Sequence, residues 1–213
     1  MNETVQNVIE ALRKNRMKAD FVPSKADVVP LLQTLIAPGS TIGVGGSRSL
    51  DETGVTEFLR NGSYIFYDRN NASLTPEEKS ELTAKSATAD VYLCSSNAIT
   101  EQGILYNVDG FSNRVAAIAN GPKKVFMVVG INKIVPDLEA AIRRVKTIAA
   151  PMNTKRLNCD TYCFRTGVCM GVDGDMTDGC HSPGRICCSY LISAQQRVEN
   201  RIHIILVGEP LGF

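Results

Sequence analysis

The 213-residue chain contains no tryptophan and only 2 histidines, and its charges almost cancel, with 23 lysines and arginines against 22 acidic residues. A net charge of +1 argues against a broad surface for nucleic acid or acidic membranes. The amino-terminal residues lack the apolar core of a signal peptide, and no apolar run approaches a membrane span. We therefore expect a cytoplasmic protein with no nucleic-acid partner and no membrane-spanning segment.

Cysteine is scarce over most of the chain and concentrated in one window. Of the 7 cysteines, 6 fall between Cys159 and Cys188, and only Cys94 precedes them. A chain of this length buries enough surface to fold without disulfides, which a reducing compartment disfavours. The cluster therefore indicates metal or redox chemistry. Cys94 lies in an apolar segment, where we expect it to pack in the core.

Residues 1–150 alternate amphipathic helical stripes with short apolar runs. The runs predicted as strands are residues 41–44, 64–67, 91–94 and 125–129, and another follows at 202–207. Strands of this kind, separated by helices, are typical of a parallel sheet covered on both faces. Between Ile104 and Val115, the dipeptide Asp109-Gly110 predicts a hairpin turn between two short strands. The sequence predicts a single α/β domain over residues 1–213.

A glycine-rich loop at residues 43–48 joins a predicted strand to a helix, for which Ser49 and Glu52 form a capping box. Glycines let backbone amides approach an anion, and the helix that follows adds its dipole. Arg48 stands where the dinucleotide fingerprint needs its third glycine, so that site is excluded. A tight turn without a ligand fits the pattern equally well. The predicted ligand-binding residues of this loop are Gly45, Gly46 and Ser47.

A second polar stretch follows the predicted strand 91–94. The carboxyl ends of strands in open α/β sheets build pockets, so these side chains are candidates for a ligand site. Glu101 is a candidate general base or carboxylate nucleophile. For any single residue the alternative is a local role, since Asn and Thr close turns and Arg pairs with carboxylates. The other candidate ligand-binding residues are Asn97, Thr100, Gly103, Asp109, Asn113, Arg114 and, after strand 125–129, Lys133.

The composition changes after Met152. Residues 153–188 are rich in Cys, Gly and Asp and have no helical or strand period, so we interpret them as a Cys-rich insertion between core elements. Zinc sites usually pair two Cys-x2–4-Cys knuckles, and only Cys159 and Cys163 approach that spacing. Irregular spacing suits an iron–sulfur cluster better. An iron–sulfur cluster, a zinc site and a metal-free thiol cluster all remain open on spacing alone.

Several ordered motifs resemble those of the lactate-utilisation (LUD) domain family. They are Val-Gly-Gly-Ser at 44–47 with Glu52 and Gly54, Ser-Asn-Ala-Ile-Thr-Glu-Gln-Gly at 96–103, Asn-Val-Asp-Gly at 107–110, Asn-Arg-Val-Ala-Ala at 113–117 and Val-Gly-Ile-Asn-Lys-Ile-Val at 129–135. The Cys region also resembles short members of the family, with Thr-Gly at 166–167 and Ser-Pro-Gly-Arg-Ile at 182–186. That resemblance implies four metal ligands: Cys163, Cys169, Cys180 and Cys187. The chain departs from the family pattern by a wider gap at residues 170–179 and by the additional Cys159 and Cys188.

The resemblance implies a Rossmann-like three-layer α/β sandwich similar to the ribose-5-phosphate isomerase and CoA-transferase group. It also implies a role in an organic-acid (lactate-like) oxidation system, a small organic acid or phosphate-bearing ligand, and iron–sulfur oxidoreductase partner subunits. The implied cofactor is an iron–sulfur cluster of the 4Fe–4S type, with zinc as the alternative. Two other functions are kept open: a non-catalytic metal-stabilised subunit or carboxylate sensor, and a CoA- or acyl-transferring enzyme that uses Glu101, since Glu-Gln-Gly resembles the nucleophile of that fold group.

Overall fold

The computed structural model describes residues 2–213. The strands, in chain order, are β1 (Lys18–Val22), β2 (Thr41–Val44), β3 (Ile65–Phe66), β4 (Val91–Cys94), β5 (Ala98–Thr100), β6 (Leu105–Asp109), β7 (Lys124–Gly130), β8 (Ile134–Val135), β9 (Ser189–Ser193) and β10 (Ile202–Val207). The α-helices are α1 (Glu3–Lys14), α2 (Val28–Leu35), α3 (Arg48–Glu52), α4 (Val55–Asn61), α5 (Pro76–Ser86), α6 (Asn113–Ala119), α7 (Leu138–Arg144), α8 (Ala150–Leu157) and α9 (Tyr162–Thr166). No helix among residues 2–213 has both the length and the apolar character needed to cross a membrane.

The main sheet has six parallel strands in the order β1-β10-β7-β4-β2-β3. Its central strands are buried on both faces, and alternate side chains enter two separate cores. Met127 packs with α1 and α6 on one face, whereas Phe126 and Val128 pack with α2 and α4 on the other. This is a sheet between two helical layers, a Rossmann-like α/β fold, as the sequence predicts.

The five apolar runs predicted as strands all lie in this sheet, but β1 was not expected from the sequence. It is an edge strand that pairs only with β10 among the described strands. Lys18 is exposed, Asp20 is half-buried, and only Ala19 and Val22 are fully buried, with a half-buried Phe21 packed against one core. A strand with so little apolar character gives almost no periodic signal.

A smaller mixed sheet, β8-β5-β6-β9, packs beside the main one. Its hairpin joins β5 and β6 through a turn at residues 101–104, so the predicted hairpin at Asp109-Gly110 is wrong. The Asp109 carboxylate instead accepts hydrogen bonds from the amides of Phe111, Arg114 and Val115 at 3.2, 2.9 and 3.3 Å. It thereby satisfies free amides at the start of α6, and the chain turns into a helix where a second strand was predicted.

The helices α7 and α8 are continuous through a π-helical turn at Val145–Ala149. This run extends to Leu157, and α9 follows after Thr161, whose hydroxyl accepts from the Phe164 amide at 3.1 Å. The expectation that residues 153–188 lack helical structure is therefore wrong for their first part. Capping and packing against the smaller sheet stabilise these short helices, whose sequence shows no apolar period.

Candidate functional site

A cavity of about 500 Å³ opens at the carboxyl edge of the main sheet. The strands β2, β4 and β7 end there, and the segments that follow them line the cavity. This is where open α/β sheets place their ligands. Most of the sequence-predicted ligand residues line it: Gly46, Ser47, Asn97, Asp109, Asn113, Arg114 and Lys133. We call it the anion cavity because of the charges described below.

Glu101, Thr100 and Gly103 lie outside this cavity. They lie at the end of β5 and in the turn of the β5–β6 hairpin. Asn97 precedes the other end of β5, and the four extended residues from Asn97 to Glu101 span about 13 Å. Thr100 is fully buried and its hydroxyl accepts from the Ile104 amide at 3.2 Å. Gly103 packs on the backbone of α1, and the Glu101 side chain is exposed to solvent. The hairpin geometry therefore separates the predicted carboxylate from the residues that line the cavity.

The glycine-rich loop has three different local roles. A Cβ on Gly45 would lie 3.0 Å from Arg114 Cδ and 3.3 Å from Cys94 Cβ, so Gly45 makes room for the arginine behind the cavity wall. Gly46 lines the cavity itself. Ser47, rather than the predicted Ser49, caps α3, accepting from the Leu50 amide at 3.4 Å. The predicted capping box is therefore wrong, and Ser49 is left to bond elsewhere.

The guanidinium group of Arg114 donates its hydrogen bonds to acceptors within the protein. Its Nη1 donates to Ser95 O at 3.2 Å and Asn107 Oδ1 at 2.6 Å. Its Nη2 donates to Asn97 Oδ1 at 2.9 Å and Val108 O at 2.6 Å. The guanidinium thus joins the end of β4 to the end of β6 and shapes the wall. Its charge contributes to the cavity, but few of its N–H groups are free to bind a ligand directly.

Three further arginines, Arg48, Arg69 and Arg156, line the cavity and were not predicted. A Cβ on Gly46 would lie 4.0 Å from Arg69 Nη2 and 3.9 Å from Arg156 Nη2, so both guanidinium groups converge over this glycine. Arg69 Nε is buried without a hydrogen-bond partner within residues 2–213. Arg69 lies three residues after the end of β3, so the rule that ligands bind at strand ends would have found it. Arg156 enters from α8, which no sequence signal places at this edge.

The charges in the cavity are strongly unbalanced. Arg48, Arg69, Arg114, Arg156 and Lys133 line it, and Asp109 is the acidic residue among its lining. That carboxylate already accepts three backbone amides, so little of its hydrogen-bonding capacity faces the cavity. Glu52 lies nearby and pairs with Arg48 at 3.5 Å. The excess of positive charge in a concave site attracts small anions.

Lys133 is the most buried of these cations, with 4% of its surface exposed. Its Nζ donates to Ser49 Oγ at 3.0 Å and Ser95 Oγ at 3.1 Å. Burial lowers the pKa of its ammonium to about 7; Arg144 and Arg114 act in the same direction, against Glu52 and Cys94. A lysine in this state exists partly as a neutral amine near pH 7.

A second, smaller cavity of about 30 Å³ is lined by the four cysteines that the family resemblance selected, Cys163, Cys169, Cys180 and Cys187. We call it the thiol cavity. Cys159 lines the anion cavity instead, and Cys188 is exposed. The two cavities share part of a wall, since Val145, Ala150, Ile186 and Cys187 line both. Cys94 is fully buried in the core, as expected.

The thiols of this cavity differ in acidity. Burial raises the pKa of Cys187 to about 12, and the neighbouring Cys163 and Cys169 add to the effect. Burial also opposes ionisation of Cys180, but hydrogen bonds from Ser182 and the Tyr162 amide outweigh it and lower its pKa. The donor set, four thiols, is that of zinc and iron–sulfur sites. As they stand, no three His, Cys, Asp or Glu side chains in residues 2–213 are spaced to hold a metal ion.

A buried lysine and a half-buried arginine hold the cysteine-bearing loops in place. Lys146, on the π-helical turn, donates to Gly171 O at 2.6 Å, to Gly174 O at 3.1 Å and to Asp175 O. Arg185 donates to Cys187 O at 2.8 Å, Cys180 O at 2.9 Å and Tyr190 Oη at 2.9 Å. The loops are thus fixed through their backbone carbonyls, which leaves the thiol groups free to face the cavity.

The fold and these two cavities define a Rossmann-like α/β protein with a positively charged cavity at the carboxyl edge of its sheet. The chain belongs to the LUD domain family, whose model matches residues 5–207, and the predicted family membership is confirmed. A crystal structure at 1.70 Å resolution, of a DUF162 family protein from Deinococcus radiodurans, shares this fold. It aligns with a TM-score of 0.50 and 13% identity over 96% of each chain. No curated protein matches the sequence.

Proposed function

We propose that this LUD domain binds a small anion, an organic acid or a phosphate-bearing compound, between Arg69 and Arg156. The observation that carries the proposal is the convergence of these two guanidinium groups over Gly46, with one Arg69 nitrogen buried and unpaired within residues 2–213. Guanidinium groups bind carboxylates and phosphates through paired hydrogen bonds. A cavity of about 500 Å³ suits a small metabolite.

We further infer that the protein serves an organic-acid (lactate-like) oxidation system, the role associated with its family, together with iron–sulfur oxidoreductase subunits. A non-catalytic carboxylate sensor would use the same anion cavity. We also propose that the fold is similar to that of the ribose-5-phosphate isomerase and CoA-transferase group. A CoA- or acyl-transferring activity through Glu101 is the least supported alternative, because that side chain lies in a turn away from the cavity.

The anion site is tested by calorimetric titration with phosphate, lactate and pyruvate. Arg69→Gln and Arg156→Gln are each expected to weaken binding about tenfold or more, the effect of losing a charge-assisted hydrogen bond. Lys85→Gln on α5 removes the same charge at an exposed position and serves as the control. Equal affinities for wild type and both arginine variants would contradict the proposed site.

We also propose that Cys163, Cys169, Cys180 and Cys187 hold a metal centre, with an iron–sulfur cluster of the 4Fe–4S type as the first candidate. Such a cluster would supply electron transfer beside the anion cavity. Four thiols are a suitable donor set for an iron–sulfur cluster and also for a zinc ion. The size of the thiol cavity favours zinc, since about 30 Å³ admits one or two water-sized species and a four-iron cluster requires the loops to move apart.

Purification without oxygen, followed by a visible spectrum and assays of iron, sulfide and zinc, separates these possibilities. Bound metal is expected in the wild type and in Cys188→Ser, whose thiol is exposed, and is expected to be lost in Cys163→Ser. Because thiols must lose protons to bind metal, affinity is expected to rise with pH. Equal metal content in Cys163→Ser and wild type would contradict this ligand set.

A further inference from the structure

The anion cavity contains a buried amine, that of Lys133, and anion binding alone does not explain this amine. Lys133 follows β7 in a short 3₁₀ turn, Ile131–Lys133, which directs the side chain to the anion cavity. Its Nζ bonds to two serine hydroxyls, and none of the ion pairs within residues 2–213 includes it. A buried lysine that only stabilises the fold usually has its ammonium bonded to carboxylates or to several backbone carbonyls, as Lys146 does.

The surroundings of Lys133 favour its neutral form. Arg144 is buried and donates to the backbone carbonyls of Asn97 and Asn132, and the charges of Arg144 and Arg114 both lower the pKa of Lys133. The carboxylate of Glu52 acts in the opposite direction, but it also pairs with Arg48 and accepts from the Gly212 amide. Desolvation next to other cations activates a lysine as a nucleophile, because the unprotonated amine has a free lone pair.

We propose that Lys133 is a nucleophile that forms a Schiff base with a small aldehyde or ketone whose anionic group is bound by Arg69 and Arg156. The proposal rests on the anion site proposed above and adds the class of ligand: a compound with both a carbonyl group and a carboxylate or phosphate. An amine nucleophile needs a carbonyl carbon, and the arginines need the anion. Both groups line the same cavity.

The reaction is balanced without an oxidant or a reductant. The Nζ lone pair forms a bond to the carbonyl carbon, and the carbon–oxygen π electrons move to the oxygen. That oxygen takes a proton while the nitrogen loses one, which gives a carbinolamine. The nitrogen lone pair then forms the carbon–nitrogen double bond of the imine as the hydroxyl group leaves, and the remaining proton on the nitrogen passes to that hydroxyl to give water. The hydroxyls of Ser49 and Ser95, 3.0 and 3.1 Å from Nζ, are placed to carry these protons.

Reductive trapping tests the proposal directly. The intact protein is incubated near pH 7 with sodium cyanoborohydride and either pyruvate, glyoxylate or glyceraldehyde 3-phosphate, and the modified peptides are located by mass spectrometry. The imine is reduced to a stable secondary amine. Lys133 is expected to be modified at least about tenfold faster than any other lysine, because an amine with the ordinary lysine pKa, near 10.4 in model peptides, is almost wholly protonated near pH 7. The preferred compound tells oxo acids from phosphorylated sugars as the source.

Lys133→Arg removes the nucleophilic amine, so it is expected to form no adduct at this position, and phosphate binding is measured separately on the wild type. Lys146, buried against backbone carbonyls outside the anion cavity, is the internal control and is expected to stay unmodified. Modification spread evenly over the lysines, with phosphate still bound, would overturn the nucleophile and leave the anion site standing. Absence of both phosphate binding and adduct would overturn both proposals.

Discussion

Arginines of the same charge have different tasks in the anion cavity. Arg114 is saturated by protein acceptors from β4 and β6, so it sets the distance between those strand ends. Arg69 and Arg156 instead converge over a glycine, where a ligand can reach them. Replacing Arg114 would leave several buried acceptors unpaired, and its effect on binding would be mixed with a loss of stability.

The Lys133→Met variant is expected to change how stability depends on pH. Because the folded-state pKa of Lys133 is about 7, below its ordinary value of 10.5, the unfolded chain binds more protons between these values. Wild-type stability should therefore rise with pH across this window, relative to Lys133→Met, by at most about 1.4 kcal/mol per pH unit. Urea unfolding at pH 7, 8 and 9 measures the difference.

The exposed Lys85→Met on α5 is the control for that experiment, and its pH dependence should follow the wild type. Parallel pH profiles for Lys133→Met and wild type would mean that Lys133 remains an ordinary charged lysine in the folded protein.

Part of the site was predictable residue by residue. Asn97 and Lys133 follow β4 and β7 of the main sheet, and the topology of parallel sheets brings such residues to one edge. Glu101 also follows a strand, but β5 belongs to the smaller sheet and runs away from the cavity. Arg156 was not predictable, since its place depends on how the α7–α8 run packs against the smaller sheet.

At the scale of elements, continuous apolar runs predicted the central strands correctly because these strands are buried on both faces. β1 was missed because it is a half-exposed edge. The wrong hairpin at Asp109-Gly110 has a different cause: the same dipeptide suits a turn or the start of a helix, and the Asp109 carboxylate bonds to the amides of α6. The sequence pattern also does not predict the π-helical turn in the α7–α8 run.

The π-helical turn is expected to control the cysteine-bearing loop through Lys146. Lys146→Met removes three hydrogen bonds to the carbonyls of Gly171, Gly174 and Asp175, while its aliphatic part still packs. Losing charge-assisted bonds of this kind costs about 2–4 kcal/mol, here mostly local stability. Hydrogen exchange should therefore accelerate at residues 169–180. Thr147→Ala, one residue along, is the control, and unchanged exchange in Lys146→Met would contradict this role.

In the whole molecule, the two cavities meet at one wall. Val145, Ala150, Ile186 and Cys187 line both, so a metal bound to Cys187 would bear directly on the anion cavity. Any such coupling is reciprocal: a ligand that favours the metal-bound form must itself bind more tightly when metal is present. The sequence predicted the four thiols through a family resemblance, but their position against the anion cavity follows only from tertiary packing.

The most direct measurement is a crystal structure with selenate, an anion whose selenium is located by anomalous scattering. We predict one strong site between Arg69 and Arg156 above Gly46, within hydrogen-bond distance of both guanidinium groups. The same soak of Arg156→Gln should lose or greatly weaken this peak. Selenate found only on the outer surface, with the space between the two arginines empty, would contradict the claim that this cavity is the ligand site.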